Sequence, residues 1–377
     1  MKNPFVYGKE VAGNDFCNRK EEIRELCGDI EASQNVIIFS QRRYGKTSLI
    51  KRVLDASRQK GVITIYADLY PMLTEEDFIA IYAKAITESI LGKVHKGVKG
   101  LTDFFKKIRP KFTIGQSGDI SYSIDIDRKD ILPSLEDVLE SVNRYISGKQ
   151  KKAVVCFDEF QQIALFQTDK VEKMMRSVFQ KHKNISYIFM GSKKHLISDI
   201  FNNPHRPFYR SGKPFPLGKI GRTELAEFIT HKFALSGKEL PRGVAETILA
   251  ACELHPYYVQ YLCNIIWEQT VAKTQVTKQD FAKSIELLLA RESSAYEATW
   301  NLLTLKQKQV ITALSKVLPE EKLFSGGFLQ KHNLGAASSL QRTTQSLMDK
   351  DLIDKENDTY IIMDVFFKKW LLSISKN

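Results

Sequence analysis

The sequence predicts an α/β protein: a parallel sheet covered by helices on both faces, followed by helical domains. Three observations carry this reading. Short apolar runs rich in β-branched residues alternate with helical periodicity as far as about residue 217. A basic loop containing Gly45-Lys46-Thr47 joins the first of those runs to a helix. After Gly221 the pattern becomes wholly helical.

The elements follow in order. Arg19–Ala32 reads as an amphipathic helix with Ile23, Leu26, Cys27 and Ile30 on one face. Val36–Phe39 reads as a strand buried on both faces. A helix from Lys46 to about Arg58 stops near Gly61, and Val62–Leu69 forms a second strand. Ala153–Phe157 and Ile185–Met190 supply two more strands, and Pro214–Leu217 a short fifth. An insertion at about 72–150 holds a helix (Glu75–Leu91), a basic stretch, an alternating run (Ile120–Ile124) and a helix (Leu135–Ser147). Beyond the sheet come helices at Arg222–Leu235, Gly243–Leu254, Tyr257–Lys273 and Lys278–Ala290. A small unit begins near Ala295, so the expected domains are 1–220, 221–294 and 295–377.

Bulk properties exclude several classes. A chain of 377 residues, 43% hydrophobic and 27% charged, is an ordinary globular protein of two or three domains, not a disordered one. No apolar run approaches the roughly 20 residues of a membrane span. Met1–Phe5 carries Lys2 but no apolar run after it, so neither a signal peptide nor a membrane partner is expected. The five cysteines, at 17, 27, 156, 252 and 263, form no C-x-x-C pair and read as buried thiols in a reducing, cytoplasmic setting. The net charge of +12 suits a nucleic-acid partner without requiring one.

The stretch Ser40-Gln41-Arg42-Arg43-Tyr44-Gly45-Lys46-Thr47-Ser48 follows a buried strand and opens a helix, which is the context a phosphate-binding loop needs. Backbone N–H groups of such a loop point inward at phosphates, aided by the positive end of the helix. Lys46 would bridge the β- and γ-phosphates of ATP, and Thr47 would bind Mg²⁺ through its hydroxyl. Ser40 stands where the motif has its first glycine; it is tolerable there if φ stays negative. About 110 residues on, the strand Val154–Phe157 ends in Asp158-Glu159. Asp158 would hold Mg²⁺, a hard cation that favours oxygen ligands, and Glu159 would polarise the attacking water as general base.

The order of these motifs resembles the archaeal-type ATPase family within the STAND/AAA+ group of P-loop NTPases, relatives of the origin-recognition ATPases, along nearly the whole chain. The resemblance implies an AAA+-like fold with a helical lid and a C-terminal winged helix. Asn3-Pro4-Phe5 with Phe16, Arg19 and Glu22 is similar to the family's opening segment, which lies against the adenine. Phe157-Asp158-Glu159-Phe160-Gln161 is similar to its Walker B strand, and Gly191-Ser192 falls at its sensor position, so Ser192 would bond the γ-phosphate or the attacking water. His255-Pro256-Tyr257-Tyr258 resembles the lid motif that touches the nucleotide. Arg210, or else Arg206, is the candidate arginine finger, although Tyr209 lacks the glycine expected before the arginine; a finger acting in trans implies a homo-oligomer. Ordinary readings stand beside these: Phe16 as core, Ser192 and His255 as helix caps, the two arginines as a solvated loop.

In the last unit, helices at Leu305–Lys316 and Ala336–Lys350 precede two short segments around Lys355–Asp358, a winged helix-turn-helix pattern. Leu340, Leu347 and Met348 would face inward; Ser338, Ser339, Gln341, Arg342 and Gln345 would face a major groove. Glu356 and Asp358 at the wing tip are poor chemistry for a phosphate backbone, which leaves a protein-docking role open. A second basic surface in the insertion comprises Lys93, Lys96, Lys99, Lys106, Lys107, Arg109 and Lys111, with Phe104, Phe105 and Phe112 interleaved. The expected function is MgATP binding and slow hydrolysis acting on DNA or a DNA-bound partner. The alternatives are a signalling switch whose output is protein assembly and a bare ATP-binding protein.

Overall fold

The computed structural model describes residues 2–11, 13–91, 105–114, 120–125, 130–166, 168–270, 274–317, 322–356 and 359–375. They pack as two units, Arg19–Gly218 on one hand and Met1–Asn18 with Lys219–Asn377 on the other.

The Arg19–Gly218 unit is built on five parallel strands in the order β2-β5-β6-β1-β7. These are β1 (Val36–Phe39), β2 (Ile63–Asp68), β5 (Ala153–Asp158), β6 (Ile185–Gly191) and β7 (Lys213–Pro216). Every residue of β5 and β6 is buried, as near-continuous apolar runs require when helices cover both faces. β2, on the edge, has exposed and half-buried positions. Helices α1 (Lys20–Glu31), α2 (Lys46–Gln59), α3 (Glu75–Leu91), α4 (Ile131–Ile146), α5 (Lys170–Phe179) and α6 (Lys194–Asn202) complete the layers. One face of the sheet carries Phe157, Phe160, Phe189, Phe201 and Phe208, with neighbouring ring centroids 4.6–6.1 Å apart. The strand order has a consequence that sequence could not supply. β6 lies between β1 and β5, so the loops after all three meet at one edge of the sheet.

In the insertion, β3 (Arg109–Ile114) pairs antiparallel with β4 (Ile120–Asp125), which is the alternating run. Lys93, Lys96, Lys99 and Phe104 lie outside the described residues, as do the side chains of Arg109, Lys111 and Phe112. Lys106 and Lys107 are exposed, but Phe105 is 2% exposed within the core. That phenylalanine therefore packs and offers no face to a nucleic-acid strand.

The second unit contains α7 (Arg222–Leu235), α8 (Arg242–Ala251), α9 (Pro256–Gln269) and α10 (Lys278–Asn301). It continues with α11 (Leu305–Ser315), α12 (Gly326–Lys331), α13 (Ala337–Asp349), the ribbon β8–β9 (Ile353–Glu356, Thr359–Ile362) and α14 (Val365–Ile374). One apolar cluster runs through all of it. α10 opens on a capping box between Thr277 and Asp280 and runs unbroken for 24 residues, so residue 295 lies inside a helix. Its Tyr296 packs against Phe367 and Trp370, which joins the last module to the helices before it. Leu340 and Leu347 are buried and Met348 packs against the core, while Ser338, Ser339, Gln341, Arg342 and Gln345 are exposed. Asp358 and the side chain of Glu356 lie outside the described residues.

The N-terminal segment belongs to this unit. Phe5 is 2% exposed beside Phe233, its carbonyl accepts from Asn264 Nδ2 at 2.8 Å, and Asn3 Nδ2 donates to the Asn264 carbonyl at 3.1 Å. The buried ammonium of Lys232 reaches Pro4 O and Asp15 Oδ1. The first eighteen residues, grouped by sequence with the sheet, thus pack on the helices instead. All five cysteines are free thiols, four of them buried. Among the described residues no helix is long and apolar enough to cross a membrane.

Candidate active site

The loop between β1 and α2 turns on two left-handed residues, Arg43 (φ 65°) and Gly45 (φ 84°). Ser40 is not among the positive-φ residues, so serine replaces the motif's glycine there without backbone strain. Arg43, which has a Cβ, carries a local cost of about 1–2 kcal/mol instead. Lys46, 7% exposed, turns its ammonium into the loop. There it donates to Ser40 O (3.4 Å), Ser40 Oγ (3.4 Å) and Gln41 O (3.3 Å). Contacts this long are weak and replaceable by a better acceptor. Burial holds the Lys46 ammonium below its ordinary pKa, opposed by the negative charge of Glu159 and Asp158 and assisted by Arg42.

Asp158 ends β5 and is 5% exposed. Its Oδ2 accepts from Thr47 Oγ1 at 2.9 Å and from Tyr66 OH at 2.6 Å, and its Oδ1 accepts from the Glu159 amide at 2.9 Å. Burial pushes the Asp158 carboxyl above its ordinary pKa; Tyr66 pulls it down, Glu159 raises it, and the other two hydrogen bonds lower it. Glu159 has φ 51°, a left-handed turn that brings its side chain back over the sheet edge. Its Oε2 accepts from Ser192 Oγ at 2.8 Å and from Gln161 Nε2. The loops after β1, β5 and β6 are therefore joined by side chains: Thr47 to Asp158, and Glu159 to Ser192.

Gly191, just before Ser192, leaves room for Gln161 and Ile197 to pack against the strand. A Cβ there would stand 2.2 Å from Gln161 Oε1 and 2.4 Å from Ile197 Cγ1. Gln161 is 4% exposed, and its Oε1 has no hydrogen-bond partner. In the sequence, Gln161 sits in a motif that does not reveal its contact, and Tyr66 looks like any residue of an apolar strand.

Other expected residues have surroundings of their own. Arg19, 5% exposed, bonds Glu22 and the Gly218 carbonyl, each at 2.8 Å. Phe16 is half-buried, and Phe16, His255 and Pro256 belong to the other unit. Neither Ser192 nor His255 uses its side chain as a helix cap: the residue before α6 is Lys193, and His255 makes no capping hydrogen bond. Arg206 donates to buried Glu172 Oε1 at 2.6 Å and lies 3.8 Å from Asp199, whereas Arg210 is exposed, 5.2 Å from the ring centroid of Tyr209.

A loop carrying Gly-Lys-Thr at a helix start, an aspartate touching its threonine and a glutamate tied to the end of the next strand thus stand together. Residues 16–203 match the family described as an ATPase domain predominantly from Archaea, and residues 294–373 match a "Probable winged helix domain". The chain carries an archaeal-type ATPase domain. Solved structures agree on the fold. The Walker-type ATPase of Pyrococcus abyssi is similar with a TM-score of 0.64 at 16% identity, over 98% of this chain and 99% of that one. The Aeropyrum pernix ORC2 protein, solved as ADPNP-ADP complexes, gives 0.55 at 11% identity over 95% of each chain. The Aeropyrum pernix ORC1 protein in complex with DNA gives 0.51 at 12% identity, over 98% of this chain and 94% of that one. No curated protein matches the chain. The chain thus has the P-loop sheet and the C-terminal winged helix that its sequence predicts.

Proposed function

We propose that the ATPase domain binds MgATP at Ser40–Ser48 and hydrolyses it slowly, driving a change that acts on DNA or on a DNA-bound partner. The observation that carries this reading is the 2.9 Å contact between Thr47 and Asp158, 111 residues apart. It sets two hard oxygen donors side by side below a phosphate loop, a donor set that fits Mg²⁺. Backbone N–H groups of the loop and the Lys46 ammonium would hold the phosphates; Mg²⁺, held by Thr47 and Asp158, would supply charge stabilisation at the terminal phosphates. Glu159 would accept the proton of the attacking water, and Ser192 would orient it. Phe16, Arg19, His255 and Pro256 are the proposed contacts to the rest of the nucleotide. Arg210 is a better finger than Arg206, because Glu172 and Asp199 already engage the latter.

Lys46→Ala tests the site. Calorimetry should show no MgATP binding while circular dichroism stays native; unchanged affinity would remove the assignment. The exposed row Gln341, Arg342 and Gln345 on α13, and exposed Lys106 and Lys107, support contact with DNA. Retention on duplex DNA should fall steeply with salt, and fall again in Lys106→Glu/Lys107→Glu. Any sequence preference should vanish in Gln341→Ala/Arg342→Ala. Absence of retention at low salt, with and without ATP, would favour the second reading, a switch whose output is protein assembly. The burial of Phe105 supports that reading, since it removes one aromatic from the basic surface.

A further inference from the structure

Tyr66 lies on β2, the edge strand beside β5, in register with Cys156. Register partners in a parallel pair point to the same face, so Tyr66 shares a face with Asp158, two residues beyond Cys156. It leans along the strand until its hydroxyl stands 2.6 Å from Asp158 Oδ2, the same oxygen that Thr47 reaches at 2.9 Å. The far side of its ring lies near α2, with Lys51 Nζ 5.4 Å from the centroid. The phenol is thus wedged between the loop helix and the carboxylate.

Filling that space needs only a phenyl ring. The hydroxyl adds a charge-assisted hydrogen bond to a buried carboxylate, among the stronger contacts available to a neutral group. With Tyr66 and Thr47 on Oδ2 and the Glu159 amide on Oδ1, the plane of Asp158 is fixed from three directions. Take away the phenol, and a single hydroxyl remains on Oδ2 to stop the carboxylate turning. We propose that Tyr66 is a positioning residue for metal–nucleotide binding: its hydroxyl sets the orientation of Asp158, and thereby how strongly Mg²⁺ promotes nucleotide affinity. This rests on the nucleotide-binding reading above.

The experiment measures ATP affinity of the full chain by calorimetry in excess Mg²⁺ and in EDTA, for wild type and Tyr66→Phe. The ratio of the two affinities should fall roughly tenfold in Tyr66→Phe, the usual worth of a hydrogen bond to a charged group, while affinity in EDTA stays unchanged. In an Asp158→Asn background the same substitution should leave the ratio unaltered. An unchanged ratio overturns the proposal. So does an equal loss in Mg²⁺ and EDTA, or failure of Tyr66→Phe to fold, since either makes the hydroxyl a plain stability element. Wild-type protein that binds no ATP sinks the nucleotide reading itself; wild-type protein with normal Mg²⁺ dependence isolates the failure to Tyr66.

Discussion

The hydroxyl of Ser192 donates to Oε2 of Glu159 across 2.8 Å, which ties the end of β6 to the turn after β5. Gln161 donates to the same oxygen, so the side chain expected to act as general base is held from two sides. Glu159→Gln should still bind MgATP but lose hydrolysis by about 10²–10⁴-fold, because an amide cannot take the proton of water. Ser192→Ala should cost about tenfold, since one of the two neutral donors remains. Single-turnover hydrolysis reads both. A wild-type rate in Glu159→Gln would place the base elsewhere.

Gly191 should tolerate no side chain. Its absent Cβ leaves room that Gln161 Oε1 and Ile197 occupy, and Gln161 has little freedom to retreat because it is buried. Gly191→Ala should destabilise the protein by about 1–3 kcal/mol through overpacking. It should also slow hydrolysis by displacing Gln161 from Glu159. Urea denaturation would show the first effect and single-turnover hydrolysis the second; a variant of wild-type stability would mean that β6 shifts freely.

Acid should weaken the ATPase domain through His182. The side chain is fully buried, with Nδ1 2.7 Å from Tyr187 OH and Nε2 3.2 Å from Glu140 Oε2. Burial lowers its pKa from 6.5, and the Glu140 carboxylate opposes that shift only in part. The sign follows from linkage. A lowered folded pKa means that the unfolded chain binds more protons. The stabilisation is therefore whole above the unfolded pKa, about 6.5, and is lost as pH falls toward the folded value. Between pH 7.5 and 5.5 the denaturation midpoint should drop, with a His182 contribution of at most about 1.4 kcal/mol per pH unit. His182→Gln should flatten that slope, whatever it does to absolute stability. An identical slope in the variant would exclude His182 as the titrating group.

How much was legible beforehand depended on whether a feature was local. The five strands and the phosphate loop announced themselves because β-branched runs and a Gly-Lys-Thr helix start are local patterns. Strand order is not local: nothing in Ile185–Gly191 says that it inserts between β1 and β5, which is what brings Ser192 to Glu159. Tyr66 was hidden for the same reason, since its partner lies 92 positions away. The end of α10, expected at Ala290, lies at Asn301 instead, because nothing in the composition of Arg291–Asn301 breaks a helix. The left-handed turn at Arg43 was equally unreadable, arginine being a residue that seldom adopts it.

One feature at the very start of the chain bears on synthesis. Phe5, Pro4 and Asn3 find their partners in Phe233, Lys232 and Asn264, 228 to 261 positions downstream. During translation the stretch 19–218 is complete, and can fold, while the first residues still have nothing to hold. At the usual elongation rate of about 5–20 residues per second, that wait lasts about 10–50 s. For that interval Phe5 is an apolar anchor in water. A fusion partner at the N-terminus is therefore attached to a segment whose partners are made only after the Arg19–Gly218 unit is complete.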